Sequence, residues 1–565
     1  MHKMPKTFKE ALAIDARMGT MYWRDAINKE MKNVFPAFKI LDEGVGKPVG
    51  YEPIPCHMVF DVKMDFTRKA RFVAAGCFTE PPASITYASV VSRESVRIAF
   101  LLASLNDLDI LSADVVGAYL NAPCREKVFT VCGPEFGPEY EGRYAIIVKA
   151  LYGLKSASAS WRSHLAHVLE HELEFQSCLA DPDVWIRPAV KADGEQYYEY
   201  LLVYTDDLLA ISLKPRAILD VIDAHFKLKP DSIGKPTRYL GATISQHYLP
   251  DDPTKPRWAS GPDQYVKEAL ANVEAWLADR DAKLKSKAPS VLPSGYRPEL
   301  DVSELLPDEE ASWYASQIGV LRWAVELGRI DICGEVSMMA SFMAAPRKGH
   351  LEALLHMFAY IKAHKRSKIV FDDSQPEFSN DFQESPDWVD FYKDAKELIP
   401  PNAPEARGRS VKMTCFCDAD HASDRLTRKS RTGVLIYLNR APIVWYSKRQ
   451  NSVETSCFGS EFMALKTATE LCQGLRYKLR MMGVPIDGPV DMLCDNQSVI
   501  YNTTRPESTL KKKSCSVAYH FVRENVAARV VRIAYEPSET NLADCLTKIQ
   551  TGTERTRLIR MIGLW

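Results

Sequence analysis

Residues 198–213 read Tyr-Glu-Tyr-Leu-Leu-Val-Tyr-Thr-Asp-Asp-Leu-Leu-Ala-Ile-Ser-Leu. Two apolar runs rich in Tyr, Val, Leu and Ile flank Asp206 and Asp207, which suits two strands buried on at least one face. The polar interruption is short enough for a hairpin tip, although a tip needing φ > 0 would favour Asn-Gly or Asp-Gly. Adjacent carboxylates repel unless a cation or hydrogen-bond donors lie between them. The pair is therefore either a solvated turn or half of a hard-oxygen site for a divalent metal, and the second needs another carboxylate from elsewhere.

The 565 residues exceed one ordinary domain, and 46% hydrophobic with 26% charged residues is a globular composition. A net charge of −1 excludes a uniformly basic nucleic-acid coat but not a local basic track. Basic clusters occur at Lys283, Lys285 and Lys287, at Lys362, Lys365, Arg366 and Lys368, at Arg428, Lys429 and Arg431, and at Lys511–Lys513. Each reads first as a solvated face. The 13 cysteines form no C-x-x-C pair and no zinc-finger spacing, the pattern of reduced core thiols. With no apolar run of about 18 residues and no signal-peptide core, the expectation is an intracellular protein without a membrane partner.

Helical periodicity runs over residues 5–35 around a break at Gly19, followed by a Gly/Pro-rich stretch from Gly44 to Pro55. Two extended segments follow, His57–Met64 and Lys69–Ala75. Lys69 and Arg71 share a strand face, where they could grip a polyphosphate or charge an exposed edge. A helix over Ser92–Asn106 leads into an apolar strand containing Asp114, which has no basic residue within six positions. An unpaired carboxylate buried there would cost several kcal/mol, so Asp114 wants a metal or a distant partner. Small residues around Gly153 open a helix toward Trp161, and Arg238–Ser245 reads as a strand. Residues 261–371 are mainly helical, and 372–410 are acidic and then Pro-rich, as in a linker.

From residue 411 three strands precede alternating helices and strands, which predicts a mixed sheet covered by helices. Asp418, Glu461, Asp495 and Asp544 stand at element boundaries or in apolar settings. Any one alone reads as an N-cap or a surface acid; four around one small sheet point to a shared site.

Several motifs together resemble copia-type LTR retrotransposon Pol polyproteins. Lys-Ala-Arg-Phe-Val-Ala-Ala-Gly at 69–76, Ala-Asp-Val-Val-Gly-Ala-Tyr-Leu-Asn at 113–121, Leu-Tyr-Gly-Leu-Lys at 151–155 and Tyr-Thr-Asp-Asp at 204–207 resemble the reverse transcriptase. Asp-Ala-Asp at 418–420, Ser-Glu-Phe-Met-Ala-Leu at 460–465, Cys-Asp-Asn-Gln-Ser at 494–498 and Ala-Asp-Cys-Leu-Thr-Lys at 543–548 resemble the RNase H unit.

The resemblance implies a multidomain α+β and α/β chain. A right-hand polymerase of fingers, palm and thumb would be followed by a connection segment and an RNase H-like mixed sheet with helices. The expected division is a helical lead-in (1–50), fingers and palm (51–260), thumb and connection helices (261–371), a linker (372–410), the RNase H-like domain (411–552) and a C-terminal tail (553–565). Asp114, Asp206 and Asp207 would be catalytic metal ligands of the polymerase, and Asp418, Glu461, Asp495 and Asp544 those of the nuclease, with two Mg²⁺ (or Mn²⁺) per site. Lys69, Arg71, Tyr119, Gly153 and Lys155 would contact the nucleotide, and Tyr239 and Gly241 the primer.

The implied partners are an RNA template, a DNA primer, RNA–DNA hybrid and deoxynucleoside triphosphates, with a homodimer or other Pol parts as protein partners. The implied location is a cytoplasmic virus-like particle or the nucleus. Two alternatives stand beside this reading: a silent element remnant that only binds nucleic acid, and an RNA-dependent RNA polymerase sharing the palm. The chain departs from the family pattern at Thr205 (usually Val), Ser156 (usually Gln), Cys457-Phe458-Gly459, and Lys513-Ser514-Cys515, where a His is expected.

Overall fold

A computed structural model describes residues 4–62, 67–79, 86–382, 387–510, 515–550 and 552–564. The hairpin read from the sequence is present. Gln196–Tyr204 and Asp207–Ser212 pair antiparallel, with Tyr204 opposite Asp207. They are neighbours in a five-stranded sheet ordered Asp109–Asp114, Asp207–Ser212, Gln196–Tyr204, Asp181–Val190, Gln176–Cys178.

This palm sheet is buried on both faces, so its strands read as continuous apolar runs whose alternate residues enter different cores. Leu201, Val203, Leu208 and Ala210 join Trp161, Leu165 and Leu169 of the helix Ala157–His171, and Ile218 and Ile222 of the helix Pro215–His225. Tyr200, Leu202, Leu209 and Ile211 join Ile98, Leu101 and Leu102 of the helix Arg93–Leu105.

The N-terminal helices Phe8–Met18 and Tyr22–Val34 pack on the strands that follow them. Trp23, Ile27, Met31 and Val34 recur every three or four residues, so one helix face enters the same core as Phe60 and Phe72. The two extended segments form the antiparallel pair Cys56–Val62 and Arg68–Ala74; Met64 lies outside the described residues. The strand expected over Arg238–Ser245 is split into Arg238–Tyr239 and Ala242–Leu249. Leu240 and Gly241, both at positive φ (47° and 86°), make the turn between them. Ile369–Val370 closes that sheet after the helices of 261–371, in which Trp276 stacks on Trp313 at 3.9 Å.

The described residues of 372–410 form a strap against the C-terminal unit. Glu397 accepts hydrogen bonds from Arg476 and Arg480 of the long helix Cys457–Met481, and the Arg407 amide donates to the Gly483 carbonyl. The C-terminal sheet has the order Ala441–Arg449, Arg431–Leu438, Met413–Asp420, Val490–Cys494, Val531–Tyr535. Its first three strands in sequence are antiparallel, and the last two run parallel to Met413–Asp420. This is the RNase H-like mixed sheet.

The C-terminal unit docks directly on the back of the palm. Arg97 is buried, donating to the Ile443 and Glu326 carbonyls with its guanidinium 3.8 Å from the Trp445 ring. Tyr200 donates to the Met482 carbonyl, and Lys478 pairs with Glu94. Arg431, read as part of a solvated basic face, is buried and donates to Ser337. The Lys511–Lys513 cluster and Ser514 lie outside the described residues.

The expected tail is a packed helix, Gly552–Ile562. Its charged composition suggests solvent, but the helical phase gathers Arg555, Leu558, Ile559 and Ile562 on one buried face. Arg555 pairs with buried Glu335 at 2.7 Å and donates to the Asp331 carbonyl, beside the buried Arg329–Asp331 pair. Removing one partner of such a pair leaves an uncompensated buried charge. Arg555→Ala is therefore expected to destabilise the chain by about 3–5 kcal/mol, read as a lower unfolding midpoint. Arg555→Met with Glu335→Gln is expected to recover most of that loss.

Candidate active sites

The first site is built by strand register. Asp207 lies opposite Asp114, and the Val115 amide donates to the Asp206 carbonyl at 2.8 Å, so three carboxylates meet at one end of the palm sheet. Asp114 terminates its strand instead of lying inside it, and its distant partner is a cation: Lys229 Nζ is 2.5 Å from Asp114 Oδ2. The other carboxylate oxygen, Oδ1, is buried without a hydrogen-bond partner among the described residues. Burial and then Asp114 raise the Asp206 carboxyl. Burial, followed by Asp206 and Asp114, pushes Asp207 up to about 6. At the tip, Thr205 adopts φ 58°, an uncommon conformation for a β-branched residue. The Trp161 indole holds its carbonyl by an N–H···O bond of 2.7 Å.

A wall of side chains leads away from these acids. Lys69 is close enough to Asp206 to offset a small part of that rise. The Arg71 guanidinium stands 5.8 Å from the centre of the Tyr152 ring, which packs 4.9 Å from Tyr119. The Tyr119 oxygen accepts a hydrogen bond from Ser158. Gly153 has a backbone role: at φ 90° it lies so close to Ala74 that a Cβ would collide with that carbonyl, and Tyr152 accepts from the Ala74 amide. Lys155 is turned to the Thr79 carbonyl at 2.5 Å, and Ser156 binds Glu126. Tyr239 is buried near Asp207, whose charge acts with burial to raise the phenol. Gly241 packs against the Trp323 indole, and Arg93 donates to the Leu240 carbonyl between them.

The second site gathers all four acids expected there. One oxygen each from Asp418, Asp495 and Asp544 falls within 4.8 Å of the others. Glu461 joins through Asp495, because Glu461, Cys494 and Asp495 form a second group within the same distance. Asp418 is fully buried on its strand, accepting from Thr547, while Lys548 Nζ reaches Asp544 at 2.9 Å and Asp418 at 3.3 Å. Burial and then Asp418 raise both Glu461 and Asp544. Glu461 Oε2 is buried without a partner.

These features fit divalent cations. Clustered carboxylates, orphaned oxygens and displaceable ammonium partners make a hard-oxygen donor set at each site. Lys229, Lys548 and Cys494 were not singled out in the sequence. Lys229 lies in a polar stretch that looks solvated, whereas Lys548 and Cys494 stand inside the motifs at 543–548 and 494–498 and could have been found from their places near Asp544 and Asp495.

The structure thus joins a palm-like sheet with three terminal carboxylates to an RNase H-like mixed sheet. Residues 41–249 match the family described as Reverse transcriptase (RNA-dependent DNA polymerase). The chain is 23% identical over 563 residues to the Retrovirus-related Pol polyprotein from transposon RE1 of Arabidopsis thaliana, covering 96% of this chain and 34% of that protein. It is 24% identical over 582 residues to the corresponding polyprotein from transposon TNT 1-94 of Nicotiana tabacum, covering 99% and 39%. The resemblance to copia-type Pol polyproteins thus runs along nearly the whole chain, which spans about a third of the length of these relatives. Among solved structures, a foamy viral protease-reverse transcriptase in complex with double-stranded DNA is similar at a TM-score of 0.49 and 10% identity, over 91% of this chain and 69% of that one.

The raised Asp207 carboxyl sets a stability test. Its folded value exceeds the unfolded one, so its contribution is fully present below about pH 4 and is lost as pH rises through about 6. At pH 7 without metal, Asp207→Asn is expected to stabilise the chain by about 1–2 kcal/mol, read as a higher melting temperature. The gain should vanish at pH 4.

Proposed function

We propose that this chain is an RNA-directed DNA polymerase with ribonuclease H activity, acting on retroelement RNA and on the RNA–DNA hybrid made from it. The strand register that brings Asp207 opposite Asp114 carries the polymerase reading, supported by the family match over residues 41–249. The four-acid cluster on the C-terminal sheet supports the nuclease reading.

Asp114, Asp206 and Asp207 would hold the cations of the polymerase site, and Asp418, Glu461, Asp495 and Asp544 those of the nuclease site, with Mg²⁺ or Mn²⁺ as the ion. Such ions, when bound, neutralise phosphate charge and lower the pKa of the attacking oxygen. The protein's own task is then positioning and charge stabilisation, which phosphoryl transfer mainly requires. Lys69 and Arg71, on the wall leading to Asp206, are placed to bind the triphosphate, Arg71 in a bidentate manner. Tyr119, fixed by Ser158 and Tyr152, presents an aromatic bulk that would exclude a ribose 2′-hydroxyl. The Tyr239–Gly241 turn, pinned by Arg93, would seat the primer end. At the nuclease site, hybrid geometry and 2′-hydroxyls would be recognised with little sequence preference.

Purified chain is expected to extend a DNA primer on an RNA template in Mg²⁺ or Mn²⁺ and to cut the RNA of a hybrid. Asp206→Asn should abolish extension while leaving cleavage, and Asp495→Asn should do the reverse. A parent chain no more active than both variants would identify a silent remnant. Incorporation of ribonucleotides in preference to deoxynucleotides would overturn the DNA polymerase assignment.

A further inference from the structure

The nuclease site contains a donor that magnesium has no use for. Cys494 ends the strand Val490–Cys494, immediately before Asp495. Its sulfur, an oxygen of Glu461 and an oxygen of Asp495 lie within 4.8 Å of one another. Glu461 is more than nine-tenths buried, and its Oε2 has no hydrogen-bond partner. A second thiol stands behind the first. The paired strands Met413–Asp420 and Val490–Cys494 bring Cys417 beside Cys494, and the Cys417 thiol donates to the Leu493 carbonyl. The hard set of Asp418, Asp495 and Asp544 shares only Asp495 with this mixed group.

We propose that Glu461, Cys494 and Asp495 form a soft-metal site that takes zinc in preference to magnesium and thereby switches the nuclease off. Zinc accepts sulfur at about 2.3 Å and carboxylate oxygen at about 2.0–2.2 Å in a tetrahedron. The three donor atoms would then be roughly 3.5 Å apart, a modest contraction of the group that side-chain rotation supplies. Water entering from the partly exposed Asp495 side completes the four ligands. Coordination releases the thiol proton to solvent. Magnesium demands six oxygen ligands in an octahedron and gains nothing from the sulfur. Zinc held here removes Asp495 from the hard set and occupies Glu461 beside it, so hybrid cleavage stops while primer extension on the palm sheet continues. This inhibitory consequence rests on the nuclease reading above; the binding itself does not.

Cobalt(II), an optical stand-in for zinc, tests the binding in the full chain through its sulfur-to-metal charge-transfer absorption. The parent should gain one equivalent of this band, quenched by zinc, and Cys494→Ser should lack that increment. Glu461→Gln should weaken the cobalt affinity by about tenfold or more. In parallel, the zinc concentration that halves cleavage in Mg²⁺ should rise by about tenfold or more in Cys494→Ser. An identical cobalt band in parent and Cys494→Ser would overturn the site, and unchanged zinc sensitivity would overturn its role in inhibition. A parent that shows the band but cuts no hybrid would refute the nuclease reading and leave the metal site standing. Should the serine variant fail to fold, Cys494→Ala and Glu461→Gln carry the same comparison.

Discussion

Placing Asp207 opposite Asp114 across two antiparallel strands forces like charges together at one end of a sheet, with Asp206 at the adjoining tip. Two unit charges 4 Å apart repel by about 4 kcal/mol at an effective dielectric of 20, so the fold must hold the acids without letting them relax apart. It does so with backbone. Ladder bonds fix the two strands, the Val115 amide holds the Asp206 carbonyl, and the Trp161 indole holds the Thr205 carbonyl. Lys229 offsets part of the charge from outside the sheet. The C-terminal acid cluster meets the same constraint with Lys548 between Asp418 and Asp544. In each site the counter-charge is a lysine on a segment later in the sequence. Both are partly exposed, and an ammonium at the surface can yield to a divalent ion at modest cost.

The palm sheet also explains why the two sites belong to one body. One face packs on the helices that carry Trp161 and Ile218, and the other packs on Arg93–Leu105, to which the C-terminal sheet is clamped through Arg97 and Trp445. The strap ending near Arg409 closes the same interface, its amide donating to Asn106 of the palm. Docking of this kind removes the orientational freedom of a tethered domain, so the C-terminal acid cluster keeps a set direction from the palm acids.

Much of this was legible from residue pattern. The apolar runs around Asp206 and Asp207 imply burial on at least one face, which the structure extends to both, and the seven acids lie in two groups. The peripheral segments were less legible. The chain 1–50, the strap 372–410 and the segment 553–565 look peripheral because they are short, charged or Pro-rich, yet each is held by long-range partners invisible to local periodicity. Glu397 reaches Arg476 across 79 residues and Arg555 reaches Glu335 across 220. Asp114 shows the reverse: its want of a distant partner was readable, but not that the partner is Lys229, 115 residues later. Gly153 illustrates a third case, in which a glycine in a functional motif serves the approach of two backbones.

Thr205 shows how the scaffold meets the cost of its own tip. A two-residue hairpin turn favours positive φ, which Asn-Gly would supply freely. A β-branched residue there gives up about 1–2 kcal/mol. Thr and Val bear that strain alike, so the hydroxyl itself is a small difference at this position. What keeps the conformation is the Trp161 bond on one side and the Tyr204–Asp207 pairing on the other. A glycine would remove the strain and also the stiffness, since it has the most conformational freedom to lose. The turn is better served by a residue that dislikes its geometry but cannot leave it, because the two carboxylates that follow must be held where electrostatics alone would push them apart.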